Sequence, residues 1–141
     1  MNAKELRLGN YVLIHNPKSH PNLLNQPVQV VEIQLRNVLS FPNSNASISV
    51  EIDIHNGFSQ FNEFIKTIPL TEQWLLKFGF AKEDENNFIL HQNNIYFRVH
   101  RNLISGEFMC KLVNNYSFLI KSVHNLQNLY FSITNVELTV A

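Results

Sequence analysis

The segment Tyr96-Phe97-Arg98-Val99-His100-Arg101 alternates polar and apolar side chains. On a strand, this spacing puts Tyr96, Arg98 and His100 on one side and Phe97 and Val99 on the other. A tyrosine, a guanidinium and an imidazole on one face can stack on bases and hold phosphates. The same trio can anchor a protein interface, where tyrosine and arginine dominate binding energy. The simplest account is a sheet with one wet face. Arg101 and Lys121 would extend a basic patch if the fold brings them near this face. Tyr96, Arg98, His100, Arg101 and Lys121 are therefore the candidate binding residues.

Other reactive side chains are less well arranged. His15, His20, His55, His91, His100 and His124 are dispersed, with no helical i, i+4 pair and no Cys/His cluster to complete a tetrahedral metal site. Glu51 and Asp53 share a strand face, but general acid–base work would need one of them buried with a raised pKa. Their alternation with valine and isoleucine fits a solvated sheet face instead. Cys110 is the sole cysteine, within Phe108-Met109-Cys110-Lys111, and reads as a buried thiol on a strand. Four glycines provide neither a phosphate-binding loop nor a dinucleotide fingerprint, and no nucleophile elbow is present. The expectation is a protein with no catalytic residues, no metal and no cofactor.

Charge and length narrow the classes further. Eleven basic residues balance eleven acidic ones, so the basic surplus usual in dedicated nucleic-acid binders is missing. One cysteine precludes an internal disulfide and suits a reducing cytoplasm. No apolar run approaches the roughly 18 residues needed to cross a bilayer. A chain of 141 residues can bury enough surface to fold without a metal or disulfide. It fits one domain over 1–141, or two lobes sharing a core: a β-rich, barrel-like lobe over 1–68 and a helix–hairpins–helix lobe over 69–141. Twenty asparagines are scattered among apolar runs, where they favour turns and caps.

The elements that would position these residues can be read in order. A turn at Gly9-Asn10 leads into a strand through Ile14, and three prolines make 15–27 an irregular loop. Residues 28–36 alternate with a change of phase at Val30-Val31, which predicts a bulge. Residues 47–54 alternate cleanly, and together these short strands predict a small curled, SH3-like antiparallel sheet. Thr71 as N-cap, Leu70 and Leu75 as a hydrophobic staple, and Gly79 past the end predict a short helix. Two hairpins follow, turning at Asn93-Asn94 and Asn114-Asn115. The stripe Val123, Leu126, Tyr130 and Ile133, widened by Leu129, predicts an amphipathic helix from a Ser122 cap to Asn135. Val136–Val140 then alternates like a terminal strand. The fold class is α+β.

The helical stripe contains Gln127-Asn128-Leu129-Tyr130-Phe131-Ser132, superficially like a protease site used in expression tags. The glutamine required before the cut is missing, and the residues fit the stripe.

Three stretches, "ELRLGNYV", "IPLTEQWLLKFGF" and "VHNLQNLYFSITNVEL", occur here in that order. The chain resembles small uncharacterised proteins of Bacteroidota phages and prophages, whose pattern runs LRIGNYV, PIPLTEEWLLKFGF and VHQLQNLYFALTGEEL. The likeness spans nearly the whole chain. Asn135 stands where that family has glycine, Val136 replaces its first glutamate, and the loop over 15–27 is long. The resemblance implies a mobile-element accessory protein in the bacterial cytoplasm and implies no reaction. The matching positions Trp74, Leu75, Phe78, Leu126, Leu129, Tyr130 and Phe131 are mainly apolar helix positions. The expected role is a non-enzymatic interaction protein that binds a host protein or ribonucleoprotein, such as an anti-CRISPR-like inhibitor of host defence. The alternative is a small RNA- or DNA-binding module using a sheet face.

Overall fold

The computed structural model describes residues 5–15, 24–36, 47–52, 58–61, 65–92, 94–111 and 117–141. The chain divides into two compact units, Met1–Ile68 and Pro69–Ala141. It is α+β, with two antiparallel sheets and two helices among the described residues.

The first unit carries β1 (Tyr11–Ile14), β2 (Pro27–Arg36), β3 (Ser47–Ile52), β4 (Phe58–Phe61) and β5 (Ile65–Lys66), in the order β4-β3-β2-β1-β5. Two three-stranded pieces, β5-β1-β2 and β2-β3-β4, share β2. The register slips between Val30 and Glu32, where the change of hydrophobic phase predicts a bulge. Gly9 takes φ 84°, a conformation open to glycine at no steric cost, and its N–H donates to Val30 O at 2.7 Å. Asn10 is fully buried because its side-chain oxygen accepts from Arg7 N at 2.8 Å and its carbonyl accepts from Val30 N. Leu6, Val12, Ile14, Val28, Val30 and Ile65 fill the core of this unit.

Among the described residues the barrel-like closure expected for 1–68 does not form. β4 and β5 stand at opposite ends of the strand order and do not pair with each other among the described residues. Each edge of β1 is already taken, by β2 on one side and by the two-residue β5 on the other. β4 and β5 are too short, at four and two residues, to show a period in the sequence. Most of the loop over 15–27, the turn at 41–45 and the strand end at Asp53-Ile54 lie outside the described residues.

The second unit opens with α1 (Glu72–Lys77), β6 (Ala81–Lys82), β7 (Asn87–Gln92) and β8 (Ile95–Arg101). β9 (Phe108–Lys111), β10 (Ser117–Ile120) and α2 (Val123–Thr134) complete it. Its sheet runs β10-β9-β8-β7-β6. Thr71 caps α1 by accepting from Trp74 N, and Gly79 leaves it at φ 83° with its N–H on Leu76 O. Asn94 turns the β7–β8 hairpin at φ 62°. The turn proposed at Asn114-Asn115 lies outside the described residues, but β9 and β10 pair from Ser117↔Lys111 to Ile120↔Phe108.

Aromatic rings tie the sheet to the second helix. Phe97 meets Phe80 edge-on at 6.2 Å and Tyr130 at 5.3 Å, while Phe88 meets Phe108 at 5.9 Å. Ser122 caps α2 by accepting from Asn125 N, and Asn135 ends it at φ 54° in the left-handed region. Asn135 thus performs the glycine-like role that its position suggests.

The predicted strand over 136–140 is not present. The tail is bonded to the two helices instead. Gln127 Nε2 donates to Leu138 O at 3.0 Å, Ala141 N donates to Lys77 O at 3.0 Å, and Leu138 is buried. Alternation brought Leu138 into the core, but with no strand beside it the tail forms no ladder.

Candidate binding face on the second sheet

Burial along β8 alternates as its sequence does. Phe97 and Val99 are buried, whereas Tyr96 and Arg98 are exposed and His100 is half-buried. Arg98 donates to the Tyr96 hydroxyl at 3.3 Å and its guanidinium lies 5.8 Å from the ring centroid. It also pairs with Glu83 at 3.0 Å. The Tyr96 hydrogen bond, then the Glu83 charge, push the Arg98 pKa further up. Arg98 is thus a preoriented, partly neutralised cation.

Two tight turns flank this end of the strand. In the first, the Asp84 carboxylate accepts from Asn86 N at 2.8 Å, Asn87 N at 2.9 Å and Asn87 Nδ2 at 2.7 Å. The Asn86 N–H foremost, then the Asn87 side chain, hold the Asp84 pKa below its ordinary value. Asn86 O accepts from Arg101 N at 2.7 Å, docking the turn on β8. In the second, Asn102 Oδ1 accepts from Ile104 N at 2.8 Å and Ser105 N at 3.1 Å, and Gly106 N returns to Asn102 O at 2.8 Å. Arg101 Nε donates to Gly106 O at 3.3 Å. This hydrogen-bonded frame holds Leu103 and Ile104 out in solvent, at 81% and 98% exposure.

Between the turns lies an open cleft of about 620 Å³. Arg98, His100 and Arg101 line it from β8 and Lys111 from β9. Asp84 and Glu85 face them from the first turn, and Leu103 stands at its rim. Three of the five candidates, Arg98, His100 and Arg101, therefore meet in one place. Tyr96 joins through its contact with Arg98. Lys121 lies past the end of β10, two strands from β8, and does not line the cleft. Lys111, the Asp84 turn and the Leu103-Ile104 tip join the site in the fold, beyond the candidates that the sequence offers. Their signals were faint: turn formers around acids, and an Asn–Gly frame around two apolar residues.

The other reactive groups have structural settings. Cys110 is buried, and desolvation pushes its thiol up to about 11. His124 is buried beside its own helix cap, with Nδ1 3.0 Å from Ser122 Oγ and Nε2 3.2 Å from Asn125 Nδ2. Glu51 sits in β3 opposite Glu32 and Ser59; Asp53, His20 and His55 lie outside the described residues. Among the described residues no group of three or more His, Cys, Asp or Glu side chains is placed to hold a metal ion. No described helix is long and apolar enough to cross a membrane. No family model, curated protein or solved structure matches the chain.

Proposed function

We propose that this is a non-enzymatic interaction protein whose contact surface is the β8 face with its two flanking turns. The carrying observation is the juxtaposition of an oriented Tyr96–Arg98 pair, a mixed-charge cleft and a rigid apolar tip at Leu103-Ile104. Arginine and tyrosine beside exposed aliphatic groups are the composition of protein-interface hot spots. Acids line the cleft opposite its bases, and Glu83 already neutralises Arg98. That mixture suits a protein surface with charges of both signs better than a run of phosphates. The phage-protein resemblance gives the setting: an accessory protein acting in the bacterial cytoplasm, an anti-CRISPR-like inhibitor of a host defence protein or ribonucleoprotein.

A second reading has its own support, because Arg98, His100, Arg101 and Lys111 converge beside an exposed tyrosine ring. Such a face could take a short single strand of RNA or DNA. Affinity capture from host lysate, with and without nuclease, separates the two. A single host protein retained after nuclease treatment, and lost with the Arg98→Glu/Arg101→Glu double variant, supports the interaction protein. Recovery of nucleic acid alone, with retention that falls steeply as salt rises, supports the second reading and overturns the first.

A further inference from the structure

We infer that the protein pairs with a second copy of itself through the open edge of β10, joining two five-stranded sheets into one. This surface lies two strands away from the β8 face and does not depend on the reading proposed for it.

The hydrogen-bonding direction of β10 follows from bonds at its neighbours. Asn102 N donates to Glu107 O, which sets the phase of the β8–β9 ladder. N–H and C=O of one residue point to the same side and alternate along a strand, so Phe108 and Cys110 point toward β10. Their register partners Ile120 and Phe118 therefore point back toward β9. Ser117 and Leu119 must present both backbone groups outward. An independent bond agrees: Lys121 O, in the same phase, accepts from Leu70 N at 3.3 Å on the side away from β9. Residues 69–70 thus cover the edge only past its C-terminal end. Ser117 and Leu119 remain at the margin of the sheet among the described residues.

The two margins of the sheet differ. At the far edge, β6 is two residues long and carries Lys82, which bonds Glu72 at 2.7 Å. Short length and a charge are ordinary protections against edge pairing. β10 is twice as long as β6 and lacks the charge; Ser117-Phe118-Leu119-Ile120 carries none, and Phe118 and Leu119 are 47% and 41% exposed. Phe118 lies opposite buried Cys110, on the core side of the sheet, yet its ring is half-uncovered.

A second copy answers these features in one register. Antiparallel pairing about a two-fold axis through Phe118 sets Ser117 opposite the partner copy's Leu119, and Leu119 opposite its Ser117. Each of these hydrogen-bonded pairs exchanges two bonds, and the symmetry repeats them. Phe118 then faces its own copy as the non-hydrogen-bonded pair, whose side chains approach most closely and where aromatic pairs stabilise. The zero net charge of the chain means the two copies do not repel each other as whole molecules.

The full chain in sedimentation equilibrium should show a species of twice 16.4 kDa. Leu119→Pro removes an outward N–H without touching the β9 ladder and should return about half the mass, with circular dichroism unchanged. Because Cys110 lies opposite Phe118, the cross-link is tested in a Cys110→Ala background: there Phe118→Cys places two thiols at a separation suited to a disulfide and should give a covalent dimer on mild oxidation, which Cys110→Ala alone does not. A single 16.4 kDa species at concentrations up to roughly 0.1 mM overturns the inference and leaves the edge to an extended segment of another protein. So does a dimer that Leu119→Pro leaves intact. If Leu119→Pro fails to fold, the Phe118→Cys cross-link in the Cys110→Ala background decides; a dimer that does not cross-link there is built on another surface.

Discussion

Gln127 is wholly buried on α2, and its side-chain amide donates to the carbonyl of Leu138 at 3.0 Å, eleven residues on. This bond fastens the C-terminal tail to the helix in place of a strand ladder. Gln127→Leu would leave that buried carbonyl without its donor, at a cost of about 1–3 kcal/mol. Urea denaturation should show the lower midpoint, and amide exchange at Leu138–Ala141 should speed up more than exchange in β8.

The two ends of α1 are set by local chemistry. Thr71→Ala removes the cap acceptor for Trp74 N and should cost about 1 kcal/mol. Gly79→Ala meets no clash, since its added Cβ would sit in ordinary contact with Leu90 Cδ1 at 3.8 Å. It must still hold φ 83°, so strain alone should destabilise by about 1 kcal/mol. Thermal melts of the two single variants would measure both effects.

Cys110 should resist alkylation by iodoacetamide in the native protein at about pH 8 and react fully once unfolded. Burial raises its folded pKa from 9.0 to about 11. The unfolded chain therefore loses that proton first as pH rises. Stability from this group is complete below pH 9.0 and falls away toward about 11. A Cys110→Ala variant should lack that part of the alkaline decline.

Asp84 behaves in the opposite sense. Its carboxylate holds the 84–87 turn, and its folded pKa lies below the ordinary 3.8. The unfolded chain takes up the proton first as pH falls. The stabilisation is present above that value and is lost as pH falls through the folded pKa. Asp84→Asn should remove this acid dependence, and nuclear magnetic resonance of the Asn86 and Asn87 amides would report it directly.

Arg98→Glu and Arg101→Glu together should abolish partner retention while the fold persists, because Arg98 is an exposed side chain on a strand whose core face is Phe97 and Val99. Circular dichroism beside the capture assay would separate lost binding from lost structure.

Local chemistry makes much of this fold readable in the sequence. Thr71, Gly79, Ser122 and Asn135 mark helix ends because capping is decided by a residue and its near neighbours. The bulge at Val30–Glu32 is visible as a phase change, since side chains alternate strictly along a strand. Harder to see were His124 and Gln127, two polar residues on the buried face of α2. Their burial depends on Ser122, Asn125 and the Leu138 carbonyl, partners that a hydrophobic stripe does not reveal.

By itself the sequence determined the α+β class, the position of the helices, the two hairpins and the wet face of β8, because each rests on period or on residues within one turn. Tertiary structure decided the rest. It left the first sheet open, sent the tail to Lys77 and Gln127, gathered Arg98, His100, Arg101 and Lys111 into one cleft, and kept Lys121 outside it. The physical reason is that strand order and hydrogen-bond direction depend on which edges other strands have already filled. No spacing along the chain records that competition.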